Sequence, residues 1–210
     1  MADNVLGESS SFRLLGLTFS NDLTWSSYIK SIAKSAAMKV GSLYRARHYL
    51  SPECVLHLYK SLIRPYMEYC CHLWAGASSD ALRLLDKIQK RVANIIGPTL
   101  AASLQPLSIR RDVASLSLFY KYYHGRCSAE LLSLVPPSKV SQRVTRLSSR
   151  LHPFTVDVPL CRKGFYSRSF FPRTSSIWNS LPLSCFPVDY DLHLFKSRVN
   201  RFLSDSSGSC

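Results

Sequence analysis

Arg83, Lys87, Lys90 and Arg91 follow one another at i, i+4, i+7 and i+8, the best-ordered basic stripe in the chain. On a helix that spacing sets positive charge along one side. Such a stripe can follow the phosphates of a nucleic-acid backbone, a task that needs regularly spaced cations and no base-reading geometry. It would serve equally as a solvated helix face. Lys30, Lys34, Arg45 and Arg47 mark an earlier candidate helix, and Arg45, Arg47 and His48 crowd its C-terminal end. Cations there also complement the helix dipole.

Bond-making chemistry finds no comparable set. The six histidines (His48, His57, His72, His124, His152, His193) are scattered, and no Ser/His/Asp or paired-carboxylate constellation gathers around them. A stand-alone hydrolase or metal enzyme is therefore not expected. Cys54 and His57 share a helix face, and Cys70, Cys71 and His72 follow Pro65. Adjacent helical residues point in different directions, and zinc favours paired C-x₂-C spacings that this chain lacks. The seven cysteines are odd in number and follow no secretory leader, so they read as reduced, small apolar thiols. No catalytic residue, metal ligand or cofactor is expected.

The balance of 27 basic and 13 acidic side chains gives a formal charge of +14. That excess suits a polyanion such as nucleic acid, or an anionic surface, and is also compatible with a basic surface that has no partner. No apolar run approaches a membrane span. The expectation is an intracellular protein, cytoplasmic and/or nuclear and not secreted, with no membrane partner and no small-molecule substrate.

The elements that would position these cations are mostly helical. Phe12 to Phe19 is a short apolar run with Gly16 inside it, bounded by Ser20-Asn21-Asp22, and predicts one strand. A lone strand needs a hairpin partner or a sheet outside the chain. From Thr24 the period becomes helical, with Thr24 or Ser26 as cap and Tyr28, Ile32, Ala36, Val40 and Leu43 inward. Ser51-Pro52-Glu53 restarts a helix that meets Pro65, where a kink or a break is expected. Leu58, Leu62, Tyr66, Tyr69 and Leu73 form its apolar face by spacing. A third helix, capped by Ser79 or Asp80, turns Leu82, Leu85, Ile88 or Gln89, Val92 and Ile95 inward and stops at Gly97-Pro98. Ser108 opens a fourth, with Ile109, Val113, Leu116, Phe119 and Tyr123 inward. Pro136-Pro137 ends the helical part, and the acid-free stretch from Ser138 to Arg150 reads as a basic linker. Beyond it, Phe154 to Val158 alternates like a strand, and Phe165 to Phe171 interleaves rings with Arg168. Arginines among aromatics can grip phosphates while rings stack on bases, although aromatics also make good core. Leu192, Phe195, Val199 and Phe202 define a closing helix.

The expected fold class is mainly α: a helical bundle preceded by one short β-strand, with a small α+β or irregular C-terminal segment. Its parts are 1–22 for the flexible start and strand, 23–135 for the bundle, 136–152 for the linker, and 153–210 for the aromatic and basic end.

An ordered set of motifs runs through this outline. Leu14-Leu15-Gly16-Leu17 precedes Leu23-Thr24-Trp25; Leu58-Tyr59-Lys60-Ser61 precedes Arg64-Pro65-Tyr66-Met67-Glu68-Tyr69 and Trp74. Leu85-Asp86-Lys87-Ile88-Gln89-Lys90-Arg91, Ile95-Ile96-Gly97, Phe171, Arg173, Trp178-Asn179-Ser180-Leu181-Pro182 and Phe195-Lys196 follow. Together they resemble the region after the palm in reverse transcriptases of non-LTR (LINE-type, jockey-like) retrotransposons, from about Phe12 to Leu203. The resemblance implies that the first strand lies at the palm edge and that the helices from Thr24 to about Gly97 form the thumb, which holds template–primer duplex by its backbone. The rest would be the polyprotein tail, without the Cys/His knuckle of related elements. Such polymerases hold two Mg²⁺ ions on palm aspartates, two of them adjacent; these 210 residues contain no Asp-Asp pair. The chain is therefore expected to be a fragment without catalysis of its own. Its expected partner is RNA–DNA hybrid or duplex nucleic acid, with a palm and fingers domain supplied in trans as a second one. The alternative is a protein-interaction module or a remnant without function.

Overall fold

The computed structural model describes residues 9–138 and 152–207. It is mainly helical with one short two-stranded hairpin, and it divides into two compact units. The first comprises Met1–Tyr69 with Ala77–Leu104, the second Cys70–Gly76 with Gln105–Cys210. The basic linker expected over 136–152 falls mostly outside the described residues, with Arg143, Arg146 and Arg150 among those not described.

In the first unit the expected single strand is two. β1 (Ser11–Leu14) pairs antiparallel with β2 (Leu17–Ser20) in the register Phe12 to Phe19 and Leu14 to Leu17. The turn between them places Leu15 at φ 48° and Gly16 at φ 84°. Two successive positive φ values make the tight turn whose twist matches a hairpin. Gly16 takes that conformation without a steric cost, and Leu15 follows it. The partner that a lone strand would have needed is thus supplied within the same apolar run. Phe12 stacks on Phe19 with ring centroids 5.0 Å apart, and Trp25 meets Phe19 edge-on at 5.2 Å. This ring ladder ties the hairpin to α1 (Ser26–Ala46).

Neither Thr24 nor Ser26 caps α1. Thr24 instead donates its backbone N–H (3.0 Å) and its hydroxyl to Asp22, whose carboxyl is held below its ordinary range first by a hydrogen bond from the Ser20 hydroxyl and then by these two. Tyr28, Ile29, Ile32, Ala33, Ala36 and Val40 are buried, close to the expected stripe. Ser51 caps α2 (Pro52–Leu58) by accepting from the Cys54 N–H, as its sequence predicts.

Pro65 neither breaks this helix nor leaves it regular. The chain passes through a π-helical turn (Tyr59–Ile63), in which the Arg64 N–H reaches back to the Tyr59 carbonyl, and resumes as α3 (Arg64–Glu68). Widening the turn just ahead of a proline eases the clash of its ring with the preceding carbonyls. The buried residues are Val55, Leu56, Tyr59, Ile63 and Met67, one position on from the face that spacing favoured. Leu62 and Tyr69 remain 60% and 47% exposed. Two adjacent faces of this segment are apolar, so periodicity alone had no basis for choosing between them.

α5 (Ser79–Ile96) packs on α1. Its cap is Ser78, one residue before the expected pair, whose extended backbone lets Oγ accept the Ala81 N–H at 3.4 Å. Ala81, Leu85, Ile88, Val92 and Ile96 are buried, and the Tyr59 hydroxyl donates to Gln89 Oε1 at 2.8 Å. α6 (Pro98–Ala101) follows a Gly97 at φ 83°.

The second unit is built on α4 (Cys71–Trp74), α7 (Leu107–Tyr123), α8 (Ala129–Leu132), α9 (Gly164–Ser167), α10 (Phe170–Asn179) and α11 (Leu192–Ser207). α7 forms the wall of this second core with α10 and α11. Trp178, Phe119 and Phe195 are fully buried there, and Tyr120 stacks on Phe195 at 4.1 Å. The expected strand at 154–158 is absent: apart from one isolated bridge between Ser138 and Val156, the segment is irregular. A side chain takes the place of a neighbouring strand. Asn179 accepts the Val156 N–H at 3.0 Å and donates to the Val156 carbonyl at 2.8 Å, while the Trp178 indole N–H donates to the Phe154 carbonyl at 2.7 Å.

Candidate nucleic-acid interface

The eight cations singled out by sequence all lie on α1, α5 and the turn after α1, in the first unit. Helix periodicity explains why they stand clear of the core. On α5 the buried set is Ala81, Leu85, Ile88, Val92 and Ile96, and Arg83, Lys87, Lys90 and Arg91 fall between those positions on the far side. All four are exposed, as are Lys30, Lys34 and Arg45. Arg47 is half-buried. Because α1 and α5 pack on each other through their apolar faces, one small scaffold carries both sets.

Local contacts grade these cations. Arg83 pairs with Asp80 across one helical turn at 3.2 Å, with both side chains largely exposed. A surface pair of this kind contributes at most about 1 kcal/mol and leaves the guanidinium available to a stronger anion. Arg45 donates to the Ser42 hydroxyl at 3.1 Å. Arg47 lies over the Tyr44 ring at 3.6 Å and donates to the Tyr44 carbonyl at 3.0 Å, so it is the most committed of the eight to its own helix. Lys39, which the sequence stripe did not include, sits 4.6 Å over the Tyr66 ring. Tyr66 itself belongs to the exposed apolar side of α3, where the Tyr69 hydroxyl donates to the Leu15 carbonyl at 2.9 Å and so links helix and hairpin.

Arg173 is engaged by side chains of its own unit. In the second unit it donates to Asp112 at 2.9 Å and to the Ser115 hydroxyl at 2.7 Å, and only 15% of its side chain is exposed. Burial raises the Asp112 carboxyl and lowers the Arg173 guanidinium, each opposed by the partner's charge. Burial, and then the nearby Arg173 charge, also lowers His72 below its ordinary 6.5. This is an internal charge network. Among the described residues no three His, Cys, Asp or Glu side chains come together to hold a metal ion, and no helix is long and apolar enough to cross a membrane.

Comparison with known proteins gives a distant relation. The chain is 24% identical over 149 residues to the probable RNA-directed DNA polymerase from transposon X-element of Drosophila melanogaster. The match covers 64% of this chain and 16% of that protein's length. No protein-family model and no solved structure matches significantly. The likeness supports an origin related to retrotransposon reverse transcriptases.

Proposed function

We propose that the first unit is a thumb-like element of a retrotransposon RNA-directed DNA polymerase, which holds template–primer duplex or RNA–DNA hybrid by the phosphate backbone. The observation that carries this is the exposed stripe Arg83, Lys87, Lys90 and Arg91 on α5, with Lys30, Lys34 and Arg45 on the neighbouring helix, and the half-buried Arg47 just after it, as a second set. Lysines and arginines at helical pitch neutralise phosphates without reading bases, which is what a polymerase that must hold every sequence requires. The sequence contains no adjacent aspartates of the kind that bind catalytic Mg²⁺, so the role proposed for this chain is binding and not nucleotide transfer. Charge reversal at Lys87 and Arg91 is expected to weaken duplex and hybrid alike, whatever their sequence. Unchanged affinity would remove α5 from the interface.

A second reading rests on exposed apolar residues of the same unit, with Leu15 81% and Leu62 60% exposed. There the unit would meet protein, for example palm and fingers supplied in trans. Behaviour as a clean monomer that gains nothing from an added polymerase domain would count against it.

A further inference from the structure

The run from Phe165 to Phe171 divides in two. Phe170 and Phe171 turn inward, edge to face with each other at 5.1 Å, and Phe171 reaches Phe119 at 6.5 Å. Phe165 and Tyr166, on α9, are 59% and 45% exposed. Arg162, Lys163 and Arg168 flank them and are exposed as well, and no acidic residue occurs between Asp157 and Asp189. The backbone beneath the rings is well tied. Ser167 and Ser169 donate their hydroxyls to the Gly164 and Tyr166 carbonyls at 2.8 and 2.7 Å. The Arg168 carbonyl approaches Gly76 so closely that a Cβ there would lie 1.8 Å from its oxygen. The turn is therefore seated on a glycine of the same unit, and its two rings face water from a fixed support.

We propose that this turn is a stacking platform for single-stranded nucleic acid: neighbouring bases lie on Phe165 and Tyr166, and Arg162, Lys163 and Arg168 hold the phosphates between and beside them. Every base offers a π-face, so the platform needs no sequence preference. A duplex keeps its base faces stacked, so the site selects single strands, unlike the α1–α5 surface. An anionic lipid surface would attract the same cations, but interfacial binding needs an extended apolar helix face, and α9 spans only Gly164–Ser167. The proposal does not depend on duplex binding by the first unit.

The test uses the full chain and labelled oligo-dT and oligo-U strands of about a dozen nucleotides, within the range of single-strand sites, with and without saturating duplex. The paired change Phe165→Ala and Tyr166→Ala is expected to weaken single-strand binding about 5- to 160-fold for each base unstacked, with duplex affinity unchanged. Reversal of Arg162, Lys163 and Arg168 is expected to flatten the salt slope by about 2, at roughly 0.7 per contact. A Tyr166→Trp variant is expected to keep affinity and to lose its indole fluorescence when the strand binds. Unchanged single-strand affinity in the paired alanine variant, with its circular dichroism intact, would overturn the proposal. So would ring-dependent binding to phosphatidylserine vesicles and not to the strands.

Discussion

Asn179 allows a sharp test of how the second unit is held together. Its carboxamide satisfies both backbone groups of Val156, a residue with no exposed surface. Asn179→Ala removes both partners at once and leaves an N–H and a C=O in the core. Each orphaned group costs about 1–3 kcal/mol, so the loss is expected to fall near 2–4 kcal/mol after some relaxation. For a domain whose whole stability is about 5–15 kcal/mol, that is a large fraction. Asn179→Asp is expected to be no milder at neutral pH, because a carboxylate oxygen would then face the Val156 carbonyl. The assay is urea unfolding followed by tryptophan fluorescence in a Trp25→Phe background, which leaves Trp74 and Trp178, both in the second unit. A shift in midpoint at constant slope reports stability directly. A loss under about 0.5 kcal/mol, the scale of an ordinary surface change, would show that Asn179 does not replace a strand.

Other consequences follow from single residues. Ser78→Ala removes the α5 cap and is expected to cost the first unit about 1 kcal/mol, measured by urea unfolding of the chain with Trp25 retained and followed by circular dichroism. Gly16→Ala meets no clash, its nearest neighbour being Tyr69 Cε1 at 3.7 Å. Its φ of +84° remains, so a cost of about 1 kcal/mol is expected from backbone conformation alone. His72, His124 and His152 all lie below their ordinary 6.5 because of burial. The unfolded chain therefore takes up these protons first, and the second unit is expected to lose stability as pH falls from 6.5 through the depressed folded values. Asp112, raised above 3.8 by burial, works in the opposite sense: its contribution falls as pH rises through the window above 3.8. His72→Phe is expected to flatten the slope below 6.5 in unfolding measured against pH; an unaltered slope would assign it to other groups.

What the sequence revealed follows from the range of the interactions involved. α1, α5 and α11 are long and one-sided, so a period of 3.6 identified most of their buried residues, whereas α7 is buried on more than one side and the same period found half of its set. The stripe on α5 was legible for the same reason, since its cations occupy the complement of a regular apolar set. The α2–α3 segment was not, because a π turn intervenes and two neighbouring faces are equally apolar. Alternation at 154–158 misled, since Thr155 is buried beside Val156 while Val158 is exposed; the backbone partner of Val156 is the side chain of Asn179, which no local pattern marks. Arg173 is bound by Asp112, 61 positions earlier, and so its sequestration was equally invisible. The backbone of Arg168, between the outward Phe165 and Tyr166 and the inward Phe170 and Phe171, lies against Gly76, again a contact far along the chain.

The most direct measurement is the salt dependence of binding to an RNA–DNA hybrid, for the full chain and for a variant carrying Lys87→Glu and Arg91→Glu. With about five phosphate contacts, log K is expected to fall against log[salt] with a slope of about −4 to −5, and loss of two contacts should bring it to about −3. A variant with the same slope and the same affinity as the parent would contradict a thumb that grips duplex through α5.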